Sequence, residues 1–108
     1  VTLSVDQVMF LQPVHVGELV TFLASVNYTG RTSMEVGIKV VTENIREKLV
    51  RHTNSCFFTM VAVDENGKSV EVPKIKPVTD DQIRRFANGQ ERRAIRAELE
   101  ERYKALRK

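Results

Sequence analysis

The stretch from Glu18 to Glu43 constrains this chain most. Val20, Phe22, Ala24, Val26 and Tyr28 recur at every second residue, and Met34, Val36, Ile38 and Val40 do the same. Period two puts such side chains on one face of an extended strand. Between the two runs lies the polar joint Asn27-Tyr28-Thr29-Gly30-Arg31-Thr32-Ser33, with Gly30 placed where a tight turn calls for a positive φ. The stretch therefore reads as a long antiparallel hairpin. Each arm of roughly ten residues reaches about 33 Å at ~3.3 Å per residue, against a usual strand of about 5–6 residues. Arms of that reach can wrap an object as long as a helix of about five turns.

With 108 residues the chain has room for one domain. Its 42% hydrophobic and 29% charged content is that of a soluble globular class. No apolar run has the length of a membrane span, and no signal-peptide pattern opens the chain. The first residue is Val1 rather than Met, which is expected of a processed, trimmed or incompletely represented chain. Cys56 is the single cysteine, so an internal disulfide is excluded and a reducing compartment is favoured. The net charge of +3 suits an anionic ligand without demanding nucleic acid.

Along the chain, Leu3 and Val5 alternate, and Val8 and Phe10 continue out of phase, so a bulge is expected near Asp6-Gln7. Pro13 ends regular pairing and Gly17 marks the turn into the hairpin. Thr42 to Lys48 is polar and reads as a solvated turn. Leu49 to Val63 reads as a fourth long strand, apolar on both faces from Cys56 onward. Asp64-Glu65-Asn66-Gly67-Lys68 is a tight-turn signal, followed by a short strand around Ser69 to Val72. Pro73 and Pro77 punctuate an extended exit. Thr79-Asp80-Asp81-Gln82 fits a capping box. It predicts a short helix to Ala87 that stops at Asn88-Gly89, then a second helix from Gln90. Ile95, Leu99, Tyr103 and Leu106 form a narrow apolar stripe on that second helix, and most of the rest is charged.

A sheet of four or five such strands has a broad apolar face that must be buried against another layer. The only helical pattern is charged, and it suits an edge or a surface better than a core. The patterning therefore calls for a covering layer, from a partner chain or from a segment preceding Val1.

Phe10, Pro13-Val14 and Gly17-Glu18 stand in the spacing Phe, two residues, Pro-Val, two residues, Gly-acidic. With Thr29-Gly30-Arg31-Thr32-Ser33-Met34-Glu35-Val36, and with Phe57 to Asp64 followed by Gly67-Lys68 and Val72-Pro73, the chain resembles hotdog-fold acyl-CoA thioesterases in collinear order over residues 1 to 78. The resemblance implies an α+β hotdog, a curved antiparallel sheet whose first strand and central helix precede this chain. Residues 1–78 are then the sheet region and 79–108 a C-terminal helical extension. In that family the catalytic carboxylate is an Asp of the central helix, with an Asn upstream, so no catalytic residue is carried over to these positions.

The implied reaction is hydrolysis of fatty acyl-CoA to free fatty acid and CoA, with no cofactor beyond the coenzyme A of the substrate. A carboxylate would serve as base or nucleophile, and a helix N-terminus would stabilise the oxyanion. Gly30 allows close backbone approach, Arg31 can pair with phosphate, and Thr32 and Ser33 can donate hydrogen bonds, which makes them the candidate CoA-binding residues. The implied partners are acyl-CoA and further copies of the chain, as a dimer or trimer of dimers, with no nucleic acid and no membrane. The implied location is the cytoplasm, with the mitochondrial matrix as alternative.

Each reading has a plainer competitor. Arg31, Thr32 and Ser33 also fit an ordinary solvated turn. His15 fits a loop residue with a local hydrogen bond, Cys56 a buried inert thiol and Asp64 a turn former. His52, Asn54 and Cys56 share a strand face but lack an orienting third group, and two His with one Cys lack zinc-ligand spacing. Arg84-Arg85, Arg92-Arg93 and Arg96 fit a salt-bridged solvated face, and also nucleic acid or the CoA 3′-phosphate. A non-catalytic acyl-CoA-binding or oligomerisation module is the alternative to an enzyme, and a basic-helix nucleic-acid binder is the third reading.

Overall fold

The computed structural model describes residues 1–107. It is an α+β arrangement of β1 (Thr2–Val5), β2 (Leu19–Thr29), β3 (Ser33–Asn44), β4 (Leu49–Val61) and α1 (Asp80–Leu106). The four strands form one antiparallel sheet in the order β1-β4-β3-β2. The expected hairpin is β2–β3, with arms of 11 and 12 residues. Asn44 closes the next turn by accepting from the N–H groups of Arg46 and Glu47, and Lys48 takes a left-handed φ of 55°.

Cross-strand partners share a face, so the register sorts the side chains. Phe22 pairs with Val40, Ala24 with Ile38 and Val26 with Val36; Val36 pairs in turn with Phe58, and Ile38 with Cys56. These residues form one apolar face. Tyr28 was expected to join them, but the register shifts between Val26 and Tyr28, and Tyr28 pairs with Glu35 on the opposite face. The extra residue is Asn27. Its amide occupies the place where a Cβ on Gly37 would stand, and it donates to the Glu35 carboxylate at 3.1 Å. A second irregularity, in β4 at Thr53, lets Thr42 and Thr53 bury both hydroxyls in a 2.8 Å hydrogen bond.

The phase slip expected near Asp6-Gln7 is present, beyond a separate irregularity inside β1. The β1–β4 register shifts between Thr2 and Ser4. Further on, the N–H groups of Asp6 and Leu11 reach the carbonyls of Phe57 and Thr53, so five steps of chain face four. Gly17 has φ 93° at the turn into β2. Regular pairing in β4 stops at Val61, two residues short of expectation. The expected strand near Ser69 is reduced to a single bridge, Val63–Ser69, because the backbone there turns to other partners. Val70 donates to Ala62, and Val72 to Arg31.

The largest correction concerns the helix. The Thr79 capping box forms with Gln82, but the helix then runs unbroken through Asn88-Gly89. Gly89 is buried rather than terminal. A Cβ there would stand 2.8 Å from Tyr28 Cβ and 3.2 Å from a Glu35 oxygen. The glycine marks where the helix touches the sheet, and the intact backbone hydrogen bonds of a long helix outweigh its propensity cost of about 1 kcal/mol.

Helix α1 lies on the face carrying Tyr28 and Glu35. The apolar face stays open: Phe22 is 67% exposed and Val26 43% exposed, and only Val40 and Val72 are buried among the large aliphatic residues. The covering layer called for by the sequence is therefore not α1.

Candidate functional site

Two polar constructions flank the end of the sheet where β2 turns into β3. The first is the hairpin tip itself. Gly30 N–H donates to the Ser33 carbonyl at 2.8 Å and closes the turn, without the positive φ expected of Gly30. The chain leaving β4 straps the tip down. Ala62 N–H donates to the Thr32 carbonyl, Val72 N–H to the Arg31 carbonyl and Ile75 N–H to the Thr29 hydroxyl. With their carbonyls taken, Arg31, Thr32 and Ser33 keep side chains free to act. Arg31 is exposed, Thr32 and Ser33 are half-buried, and Arg31 makes no ion pair among the described residues. The four sequence-derived candidates thus stand together on a braced turn.

The second construction was missed by sequence reading. Glu35 is 1% exposed beneath α1. Arg92 grips it with two donors, at 2.6 and 3.0 Å, while stacking over Phe57 at 3.7 Å from the ring centre. Arg96 reaches Glu35 at 3.4 Å and Asp6 at 3.1 Å. Burial raises the Glu35 carboxyl, but the Arg92 and Asn27 hydrogen bonds and the arginine charges outweigh it and hold it below its ordinary value of 4.5. Glu35 is therefore a locked anion rather than a proton carrier. Arg92 and Arg96, read as part of a solvated face, instead bolt the helix to the sheet. The solvated face exists further along, in the exposed Glu98–Arg102 and Glu101–Lys104 pairs. A usable sequence signal was the spacing of Gly89, Arg92 and Arg96, which share one helical face.

The remaining candidates settle plainly. His15 offers its backbone N–H to Glu18 at 2.7 Å, and Glu18 is also gripped by Arg51. His52 Nε2 contacts the Asn54 carbonyl and the Ser55 hydroxyl. Burial pushes the Cys56 thiol up, away from nucleophilic use. Asp64 accepts from the N–H groups of Asn66 and Lys68, as a turn former does.

The fold and these motifs define a class of protein, the hotdog-fold thioesterases. Residues 1–49 match the thioesterase superfamily model. The chain is 56% identical over 96 residues to Protein VdlD of Helicobacter pylori, covering 89% of this chain and 55% of that protein. Among solved structures, an acyl-CoA hydrolase from Bacillus cereus superposes with TM-score 0.84 at 35% identity, covering 98% of this chain and 66% of that one. A hexameric acyl-CoA thioesterase superposes with TM-score 0.85 at 37% identity, covering 92% and 64%. The chain belongs to the hotdog-fold acyl-CoA thioesterase family, and it spans about half the length of the curated relatives it matches first.

Proposed function

We propose that this chain is the sheet-bearing part of an enzyme that hydrolyses fatty acyl-CoA to free fatty acid and CoA. The observation that carries the reading is the division of the sheet. One face is open and apolar, and it ends at a hairpin tip with an unneutralised arginine and two hydroxyls. Such a surface takes an apolar acyl chain on the face and phosphates at the tip, through Gly30, Arg31, Thr32 and Ser33. Water gives a proton to the base as its oxygen adds to the thioester carbon, the C–S bond then breaks with its electron pair going to sulfur, and the thiolate takes up that proton to leave as CoA thiol beside the free acid. As the family resemblance implies, the general base or nucleophile would be a carboxylate of a helix covering the apolar face; Glu35 and Asp6 are both held by arginines on the other face.

In this reading residues 1–78 are the hotdog sheet and 79–108 its helical extension. The assembly is a dimer or trimer of dimers, supported by the hexameric relative. No helix among the described residues is long and apolar enough to cross a membrane. The test is a thiol-release assay over a panel of acyl chain lengths, made on the full-length parent protein that carries this sheet. Release of free CoA supports the reading, and no release at any length defeats it. A second reading, a non-catalytic acyl-CoA-binding or oligomerisation module, is favoured by the absence of a carboxylate from the paired central positions of the apolar face, among the described residues. It predicts saturable CoA binding without thiol release.

A further inference from the structure

The side of α1 that meets the sheet runs on into open space. Arg92, Arg96, Leu99 and Tyr103 recur three or four residues apart, which puts them along one side of the helix. Arg92 and Arg96 reach the sheet, whereas Leu99 and Tyr103 remain exposed, as do Ile95 beside them and Leu3 on β1. These residues line a cavity of about 1200 Å³ between helix and sheet. Tyr28 and Glu35 line it too, so it opens on the helix side of the sheet, away from the apolar face. Every carboxylate of the lining is held: Asp6 by Arg96, Glu35 by Arg92 and Arg96, Glu100 by Arg107. Arg93 lines the cavity and forms no ion pair among the described residues. Its Nη1 donates to the Tyr28 hydroxyl at 3.2 Å, and a neutral phenol steers the guanidinium without neutralising it. The Thr59 hydroxyl also belongs to the lining; it is buried and has no hydrogen-bond partner among the described residues, a costly state unless a ligand or water answers it.

We propose that this cavity binds an aliphatic carboxylate, with the head group on Arg93 and the alkyl chain laid along Ile95, Leu99 and Tyr103 against Leu3. An apolar lining with a few placed polar groups is the ordinary form of a small-molecule site. Its one uncompensated charge selects a ligand with a single negative charge and an apolar body. A planar carboxylate meets the edge of a guanidinium through two parallel hydrogen bonds. A polyphosphate would leave charge unanswered here, because the other arginines of the lining are already paired. Arg93 and Tyr103 stand about 15 Å apart along the helix, which gives the chain its length of groove. Filling that groove takes the exposed side chains of α1 and β1 out of water, and the free Thr59 hydroxyl supplies a further donor inside it.

The test titrates the full-length parent protein with a dodecanoate that carries a photoreactive diazirine, and locates the adducts by mass spectrometry. The proposal expects adducts on Leu3 and within residues 95–103, competed by plain dodecanoate and not by dodecyltrimethylammonium. Arg93→Met is expected to weaken labelling at these positions about tenfold or more, the scale of one lost charge-assisted hydrogen bond, and Arg93→Lys to restore part of it. Leu99→Asp, at a half-exposed position that tolerates the change, is expected to abolish it. Arg102→Met, whose guanidinium pairs with Glu98, serves as control and alters nothing. No adducts, or adducts confined to Phe22, Val26 and Val40 of the apolar face, overturn the site. Groove adducts that survive Arg93→Met, or that the cationic amphiphile displaces equally, show apolar adhesion only and overturn it too. If Leu99→Asp lowers the oligomeric state in sedimentation with no dodecanoate present, the groove is an interface between copies of the chain and the proposal falls. None of these readouts needs thiol release, so the site stands or falls apart from the hydrolase reading.

Discussion

A buried carboxylate is tolerable only if its partners meet it well, and Glu35 shows what that costs and secures. Its two oxygens accept from Arg92, Asn27 and Arg96 while burial works against its charge. Arg92→Met removes the bidentate partner and leaves a buried charge held by weaker contacts. It is expected to lower unfolding stability by about 3 kcal/mol in urea denaturation. Adding Glu35→Gln to that variant removes the stranded charge and is expected to recover part of the loss, a positive coupling that a double-mutant cycle measures. The pH dependence has a fixed sign. Because the carboxyl is held below 4.5 in the fold, its stabilising share is full above the unfolded value and disappears as pH falls through the folded one. Stability is therefore expected to drop as pH is taken below about 4.5, and Glu35→Gln is expected to flatten that part of the profile. An equally steep acid limb in the variant would assign the loss to other carboxylates.

The elements of the fold were legible where a period ran unbroken and misread where one residue was inserted. Alternation placed β2, β3 and β4 because each has a long face set by every second residue. The same alternation misplaced Tyr28, since a bulge at Asn27 reverses every later side chain. The hairpin tip was legible as a turn, yet its bracing by Ala62, Val72 and Ile75 depends on residues distant in sequence. Gly89 was read as a helix stop because Asn-Gly is a common C-terminal signal. Its duty is spacing between layers, which local sequence does not display. That difference is testable. In an ordinary helix interior Gly→Ala stabilises by about 1 kcal/mol. Here the new methyl would meet Tyr28 Cβ, which is fixed to its strand, so Gly89→Ala is expected to destabilise by about 1–3 kcal/mol as α1 is lifted off the sheet. Thermal melts give the sign, and a gain in stability would show that the helix rides free of the sheet.

For the molecule as a whole, the balance of its two faces decides what it must bind. On the helix side the layers meet through ion pairs and one aromatic edge contact, Tyr28 against Phe86 at 4.9 Å, so this packing is largely polar. The apolar side leaves Phe22 67% and Val26 43% exposed and has nothing from α1 against it. A sheet in that condition does not sit in water unaccompanied, because contiguous exposed apolar surface of this kind marks a contact site. Under the function proposed above, a covering helix of the hotdog kind would meet that need and set a catalytic carboxylate beside the acyl chain. A single substitution separates this account from a solvent-facing sheet. Phe22 is 67% exposed, and by that exposure alone Phe22→Asp should alter stability by no more than about 0.5 kcal/mol, as surface changes do. If the face is packed in the folded protein, the same change strands a charge in an apolar layer. It is then expected to cost about 3 kcal/mol or more, or to abolish folding. Ile45→Asp supplies the comparison, since Ile45 is 64% exposed in the β3–β4 turn and lies outside the paired face. A large loss at position 22 with little at 45 identifies the apolar face as an interior. Equal small effects would mean that the face meets water, and the acyl chain would then need another site.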